Sequence, residues 1–170
     1  MSVAADSVET MSDQRHVVVV RKAEHADVDS LVACSRALFA EDAGTRDPSI
    51  NVDWPREHGP QRFTAGIDDP DRLLLVADRD GEVVGHLTGV VAEGTAMKPV
   101  RVASLVSMYV QPSYRREQIG GRLIGEFTAW AKEKGAQAAE VTAYSSNTEA
   151  IRFYERNGFA SKSVTLDIAL

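Results

Sequence analysis

The sequence predicts an α+β fold, with α/β character in its second half: a mixed sheet carrying helices on both faces. Three observations lead there. Two apolar, β-rich runs flank Asp80-Gly81, a dipeptide suited to a tight hairpin. Apolar residues recur at helical spacing in separate segments between the strand patterns. After the hairpin the order becomes strand, helix, strand, helix. Antiparallel hairpins in front and strand–helix–strand units behind are the pattern of a layered mixed sheet.

The elements follow in order. Residues 1–15 are polar and are expected to form a disordered tail, leaving residues 16–170 as a single domain. Val17 to Val20 is a short β-branched strand. Ala26 to Ala43 reads as a helix with Val28, Leu31, Val32, Leu38 and Phe39 on one face, and Asp27 and Asp29 suit its positive end. Gly44 to Pro55 is loop-like, and Arg56 to Ile67 is a second helix. Leu73 to Ala77 and Glu82 to Val91 form the hairpin, and Gly94 to Pro99 makes a further turn. Val100 to Val110 is a long strand that Pro112 ends, because proline has no N–H for a ladder. The next helix runs from Ile119 to Lys134 with Gly135 as its cap. Ala138 to Tyr144 is a strand. Ser146 and Glu149 are spaced as a capping box for a helix ending at Asn157-Gly158. Phe159 to Leu170 supplies one or two closing strands.

Composition narrows the function classes. A chain of 170 residues with 44% hydrophobic content can bury one sizeable core. The net charge of −6 argues against a general nucleic-acid binder. No apolar run approaches the roughly 20 residues of a membrane span, and no signal peptide is apparent, so a cytoplasmic protein without membrane contact is expected. The single cysteine, Cys34, sits among apolar residues and reads as a small buried hydrophobe, with a reactive thiol as the alternative. The sequence leaves a homodimer open.

The chemistry concentrates where the long strand runs into its helix. Arg115, Arg116, Glu117 and Gln118 form a basic loop, and Ile119, Gly120 and Gly121 open the helix. A helix start offers unpaired N–H groups and partial positive charge, and glycines there allow close approach. With the two arginines this is a site for a phosphorylated ligand, most readily a pyrophosphate. A solvated basic pair and packing glycines are the bland alternatives. A dinucleotide-binding Rossmann unit is disfavoured, because the glycines do not match G-x-G-x-x-G.

Two blocks carry a family resemblance. Tyr114-Arg-Arg-Glu-Gln-Ile-Gly-Gly-Arg-Leu123 resembles the acetyl-coenzyme A loop of the GCN5-related N-acetyltransferases, although Gln118 stands where that pattern has glycine. Ser146 to Phe159 resembles the family's N-x-x-A-x-x-x-Y-x-x-x-G-F element, on Asn147, Ala150, Tyr154, Gly158 and Phe159. The resemblance implies a twisted, mostly antiparallel mixed sheet whose two central parallel strands splay to hold the pantetheine arm. It implies acetyl-coenzyme A as co-substrate, no metal, and an amine acceptor. By the same resemblance the backbone of Met108, Tyr109 and Val110 and of the loop from Arg115 to Gly121 holds the cofactor. Asn147 contacts the pantetheine arm or a water beside it, and Tyr154 is the proton donor to the departing thiolate. Asn147 as a mere helix cap and Tyr154 as a core tyrosine are the structural alternatives.

No general base stands out; Glu140, His86 and water are the candidates. Glu41, Asp42, Asp47, Asp53 and Glu57 lie in the segment that the resemblance places over the acceptor, which suggests a small cationic amine or a protein amine, or else only a solvated acidic loop. A catalytically weak acyl-coenzyme A sensor is the other functional class: it would keep the loop without needing Tyr154.

Overall fold

The sheet has the strand order β1-β2-β3-β4-β5 in the computed structural model, which describes residues 17–168 and 170. The strands are β1 (Val18–Lys22), β2 (Arg72–Arg79), β3 (Glu82–Ala92), β4 (Val102–Val110) and β5 (Ala138–Val141). The first four pair antiparallel, and β4 pairs parallel with β5. The expected tail at residues 1–15 lies outside the described residues.

Local chemistry explains the hairpin. Asp80 and Gly81 both have positive φ, 52° and 89°. Two left-handed central residues are what the twist of a two-residue hairpin requires. The Asp78 carboxylate accepts the Gly81 N–H at 2.7 Å and closes the turn.

Helices cover both faces. On one side α4 (Ile119–Glu133) packs Ile119, Leu123, Phe127 and Trp130 against Leu75, Leu87 and Leu105 of the sheet. On the other, α1 (Val28–Leu38) and α3 (Trp54–Asp68) cover Leu74, Val76, Val83 and Tyr109. Alternation along each strand sorts these residues between the faces. Gly89 is required by this packing: a Cβ there would meet the ring of the fully buried Phe127 at 2.8 Å.

Several elements differ from the sequence reading. The first helix does not stop at Ala43. It continues through a π-helical turn, Phe39–Ala43, into the short α2 (Gly44–Arg46). The second begins at Trp54, with Pro55 in the first turn, where its missing N–H costs nothing. The strand expected to reach Tyr144 ends at Val141. Ser146 does not cap α5 (Thr148–Arg156); Asn147 does, its Oδ1 accepting the Ala150 N–H at 3.1 Å. The closing strands expected between Phe159 and Leu170 are absent among the described residues. Beyond Phe159 the segment has β-type alternation but no neighbouring strand, and a strand needs a ladder partner. No helix among the described residues is long and apolar enough to cross a membrane.

The Gly89 contact gives a stability prediction. Gly89→Ala should destabilise the protein by about 1–3 kcal/mol, because Phe127 has no room to move in a filled core. Urea unfolding monitored by Trp fluorescence measures this; an unchanged midpoint would refute the packing assignment.

Candidate active site

The site begins where two strands part. β4 and β5 are paired only from Val102–Ala138 to Leu105–Val141. Beyond that, β4 runs on to Val110 with β3 as its one neighbour. The register against β3 shifts here: Thr88 faces Ser107 while Gly89 faces Leu105, so Val106 is the extra residue of a bulge. Bulges bend a strand and re-aim its side chains. In a paired strand, alternate residues send their N–H and C=O groups to opposite neighbours. Met108, Tyr109 and Val110 therefore present a backbone edge without a strand partner, beside the splay that the sequence resemblance anticipated.

The loop after β4 carries the basic residues, but the structure separates them. Arg115 donates from Nε to the Val110 carbonyl at 2.9 Å and from its other arm to Glu41 at 2.7 Å. Its guanidinium also lies over the Tyr109 ring, 5.5 Å from the ring centre. The two hydrogen bonds tie the loop to the π-helical turn. Arg116 instead lines a cavity of about 490 Å³ with Gln118, Gly121, Arg122 and Arg156. No carboxylate lines that cavity. Arg122 and Arg156 were not legible as site residues, because each is brought there only by the packing of α4 on α5.

Gln118 takes the left-handed backbone conformation that would suit the glycine of the family pattern. It caps α4 with φ of 61°, and Arg116 has φ of 72°. Glycine tolerates that conformation without a side-chain clash, whereas a non-glycine residue stores of order 1–3 kcal/mol there. The two glycines have different tasks. A Cβ on Gly120 would meet the Phe153 ring at 2.9 Å, so this glycine makes room for the α4–α5 contact. At Gly121 the nearest atom is the Asn157 Oδ1 at 3.7 Å, and the residue faces the cavity. Glu117 completes the loop on the surface, and Ile119 is buried, so Ile119 can serve a ligand only through its backbone.

Across the splay stands α5. Asn147 caps it and also donates from Nδ2 to the Asp42 carboxylate at 2.9 Å. Arg46 holds the same carboxylate at 2.6 Å and donates to Ser146 at 3.0 Å. Tyr154, on the same helix, packs edge-on against Phe153 and Phe159. Burial, with the Asp42 charge second, pushes its hydroxyl pKa up to about 12. The group is thus a phenol that keeps its proton.

The other face holds a second cavity, of about 380 Å³, between α1, α3 and the sheet. Val106 and Ser107, the first residues past the end of the β4–β5 pairing, reach into it. Phe39, Trp54, Phe63 and Leu74 supply apolar walls. Phe39 and Trp54 stack with ring centres 6.0 Å apart. Thr88 Oγ1, which lines this cavity, is buried without a hydrogen-bond partner.

The candidate bases separate clearly. His86 is fully buried, with Nε2 3.2 Å from Ser107 Oγ and Nδ1 unpartnered. Burial pushes its pKa down to about 4, so it is neutral. Glu140 sits beside the closed end of the splay, engaged by Ser104, Lys98 and Lys162. The Cys34 thiol is buried and pushed up to about 11, which leaves it unreactive. The acids thought to await a cation are engaged: Glu41 by Arg115, Asp42 by Arg46, Asp53 by Arg56, and Asp47 by Ser49. Ser49 is a neutral donor, so Asp47 keeps its negative charge while Glu41, Asp42 and Asp53 are ion-paired. Among the described residues no group of three or more His, Cys, Asp or Glu is placed to hold a metal.

A mixed sheet with a parted parallel pair, and a glycine-lined basic cavity at the start of the following helix, defines an acetyltransferase-type domain. The family model described as "Acetyltransferase (GNAT) family" matches residues 36–159, and the chain belongs to that family. A segment of 101 residues is 33% identical to an uncharacterised N-acetyltransferase of Methanocaldococcus jannaschii, covering 55% of this chain and 45% of that protein. Another is 34% identical over 101 residues to the aminoalkylphosphonate N-acetyltransferase of Salmonella typhimurium, covering 57% of this chain and 62% of that one. The chain thus matches less than two thirds of either relative. A solved structure from Clostridium acetobutylicum, described as a predicted acetyltransferase with acetyl-CoA, shares the fold. Its TM-score is 0.71 at 18% identity, over 90% of this chain and 96% of that one.

The glycine geometry yields a paired prediction. Gly121→Ala should raise the melting temperature, since alanine favours a helix by about 1 kcal/mol, while weakening coenzyme A binding. Gly120→Ala should lower the melting temperature through Phe153. Thermal melts and calorimetric titration with coenzyme A read both; equal effects at the two positions would refute the assignment.

Proposed function

We propose that the chain transfers the acetyl group of acetyl-coenzyme A to a primary amine of a small molecule. The observation that carries this reading is the unpaired edge of β4 past Leu105, flanked by the basic cavity at one end and the apolar cavity on the opposite sheet face. Backbone N–H groups along Met108 to Val110 suit the pantetheine amides and the thioester carbonyl, where negative charge develops in the transition state. Gly121, Gln118 and Arg116 suit the pyrophosphate, with the α4 N-terminus behind them.

In the reaction the neutral amine nitrogen bonds to the acetyl carbon and the carbon–sulfur bond breaks. The departing thiolate takes the Tyr154 proton, and the amine gives up its own proton to water. A phenol held protonated by burial suits the first transfer. His86 lies too deep to receive a proton from an amine directly, and it touches the acceptor cavity only through Ser107. Asn147 supports the reading as a positioning residue, because its amide joins the start of α5 to Asp42.

The acceptor's character is read from its cavity. The charged residues lining it are Arg62 and Arg72, with no carboxylate. Arg72 shares its charge with Asp69 at 3.4 Å. This favours a primary amine with an apolar body and an anionic group over the cationic amine that the sequence suggested. The Salmonella relative named for aminoalkylphosphonates supports the same class.

Two experiments test these statements. Tyr154→Phe should lower turnover about 100-fold or more while leaving coenzyme A affinity nearly unchanged. Wild-type activity should persist at ~pH 9, where a phenol with an ordinary pKa of about 10 begins to ionise. If thiol release in the Phe variant equals wild type, Tyr154 is a packing residue; a chain that binds acetyl-coenzyme A but turns over no amine is the sensor. For the acceptor, an amine carrying a carboxylate or phosphonate should show a higher kcat/KM than its uncharged isostere. Arg62→Gln with Arg72→Gln should cut that preference about tenfold. A preference for polyamines would overturn the anionic-acceptor reading alone.

A further inference from the structure

One fully buried titratable group takes no direct part in acetyl transfer. His86 lies on β3, facing Val76 of β2 and Tyr109 of β4 in register. Both neighbours are buried in the apolar layer under α1 and α3. Burying an imidazole there is unfavourable unless its nitrogens are hydrogen-bonded. One of them is: Nε2 stands 3.2 Å from Ser107 Oγ. Nδ1 has no partner. A buried N–H without an acceptor is rarer than a buried lone pair without a donor. The proton of the neutral ring therefore belongs on Nε2, and His86 donates to Ser107.

Ser107 is placed to use that bond. It lies past Leu105, where the β4–β5 pairing ends, and directly before Met108, whose backbone serves the cofactor in the proposed reaction. The polar side chains lining the acceptor cavity are Ser35, Asn51, Arg62, Arg72, Thr88 and Ser107, and of these only Ser107 belongs to β4. Thr88 is its partner in register, so His86 is its diagonal neighbour on the same sheet face. The hydrogen bond from His86 occupies one lone pair of Oγ and fixes the side chain's orientation. The second lone pair is left for a donor in the cavity.

We infer that the Ser107 hydroxyl accepts a hydrogen bond from an N–H of the acceptor amine, and that His86 is a positioning residue that aims it. The inference rests on the proposed acetyl transfer and names the group that orients its nucleophile. Held by one N–H, the amine turns its own lone pair toward the acetyl carbon. No proton passes to His86: the amine still releases its proton to water, and burial keeps the ring neutral.

Thiol release from acetyl-coenzyme A, with 2-aminoethylphosphonate, β-alanine, phenethylamine and spermidine as acceptors, tests this on the full chain. On the amine that wild type turns over fastest, Ser107→Ala should lower kcat about tenfold, the usual effect of one hydrogen bond. Acetyl-coenzyme A affinity, read by calorimetric titration, should not change. Ser107→Thr keeps the hydroxyl and should restore most of the rate. His86→Leu should lose as much as Ser107→Ala, and the double variant no more than either. Where a thermal melt shows His86→Leu unfolded, His86→Gln replaces it; its amide N–H can also donate, so it should stay faster than Ser107→Ala. Wild-type kcat in Ser107→Ala overturns the inference and leaves acetyl transfer standing. So do losses that multiply in the double variant, or a Ser107→Thr variant as slow as Ser107→Ala. A wild-type chain that binds acetyl-coenzyme A but acetylates none of these amines overturns the transferase reading, and the inference falls with it.

Discussion

The parting of β4 from β5 after Leu105 and Val141 is the constraint on which the rest of this structure depends. A parallel pair normally satisfies both backbones along its length. Here β4 continues for five residues paired with β3 alone, and its other edge has no strand beside it among the described residues. The bulge at Val106 sits at the parting point. The two cavities lie on either side of this opening, one at the start of α4 and one beneath α1 and α3.

An opening in a sheet must be held in shape, and one short stretch of chain does most of that. The π-helical turn Phe39–Ala43 sends Glu41 to Arg115, in the loop after β4, and Asp42 to Asn147, at the head of α5. Single π turns inside helices frequently mark functional sites. These contacts are partly exposed, so each is worth only about 0–1 kcal/mol. Their value is geometric: they link the three elements that border the splay. The stability of the fold comes instead from the two apolar layers, in which Phe127 and Leu87 on one side and Leu31 and Val76 on the other are fully buried.

Much of this was legible in the chain. The Asp80-Gly81 hairpin, the α4 periodicity and the strand–loop–helix around Arg115 to Gly121 depend on local chemistry, and local chemistry is written in consecutive residues. Other features were not. Gly120 and Gly121 look alike in sequence, and only the position of Phe153 on another helix separates a packing glycine from a cavity glycine. Arg115 and Arg116 are neighbours whose side chains part because Glu41, 74 residues upstream, claims the first. Arg62 and Arg72 carried no signal at all, since their shared cavity exists only once α3 lies over β2.

By itself the sequence determined the succession of strands and helices as far as α5, much of their burial periodicity, and the two family blocks that end at Phe159. Those properties follow from propensity, turn chemistry and pattern, each acting over a few residues. The tertiary structure alone decided which charges are paired, which glycine lines a cavity, and that the segment after Phe159 has no strand partner among the described residues. Such outcomes depend on contacts between residues far apart in sequence. No local pattern specifies them, because the same arginine or valine is satisfied or left open according to what the fold brings beside it.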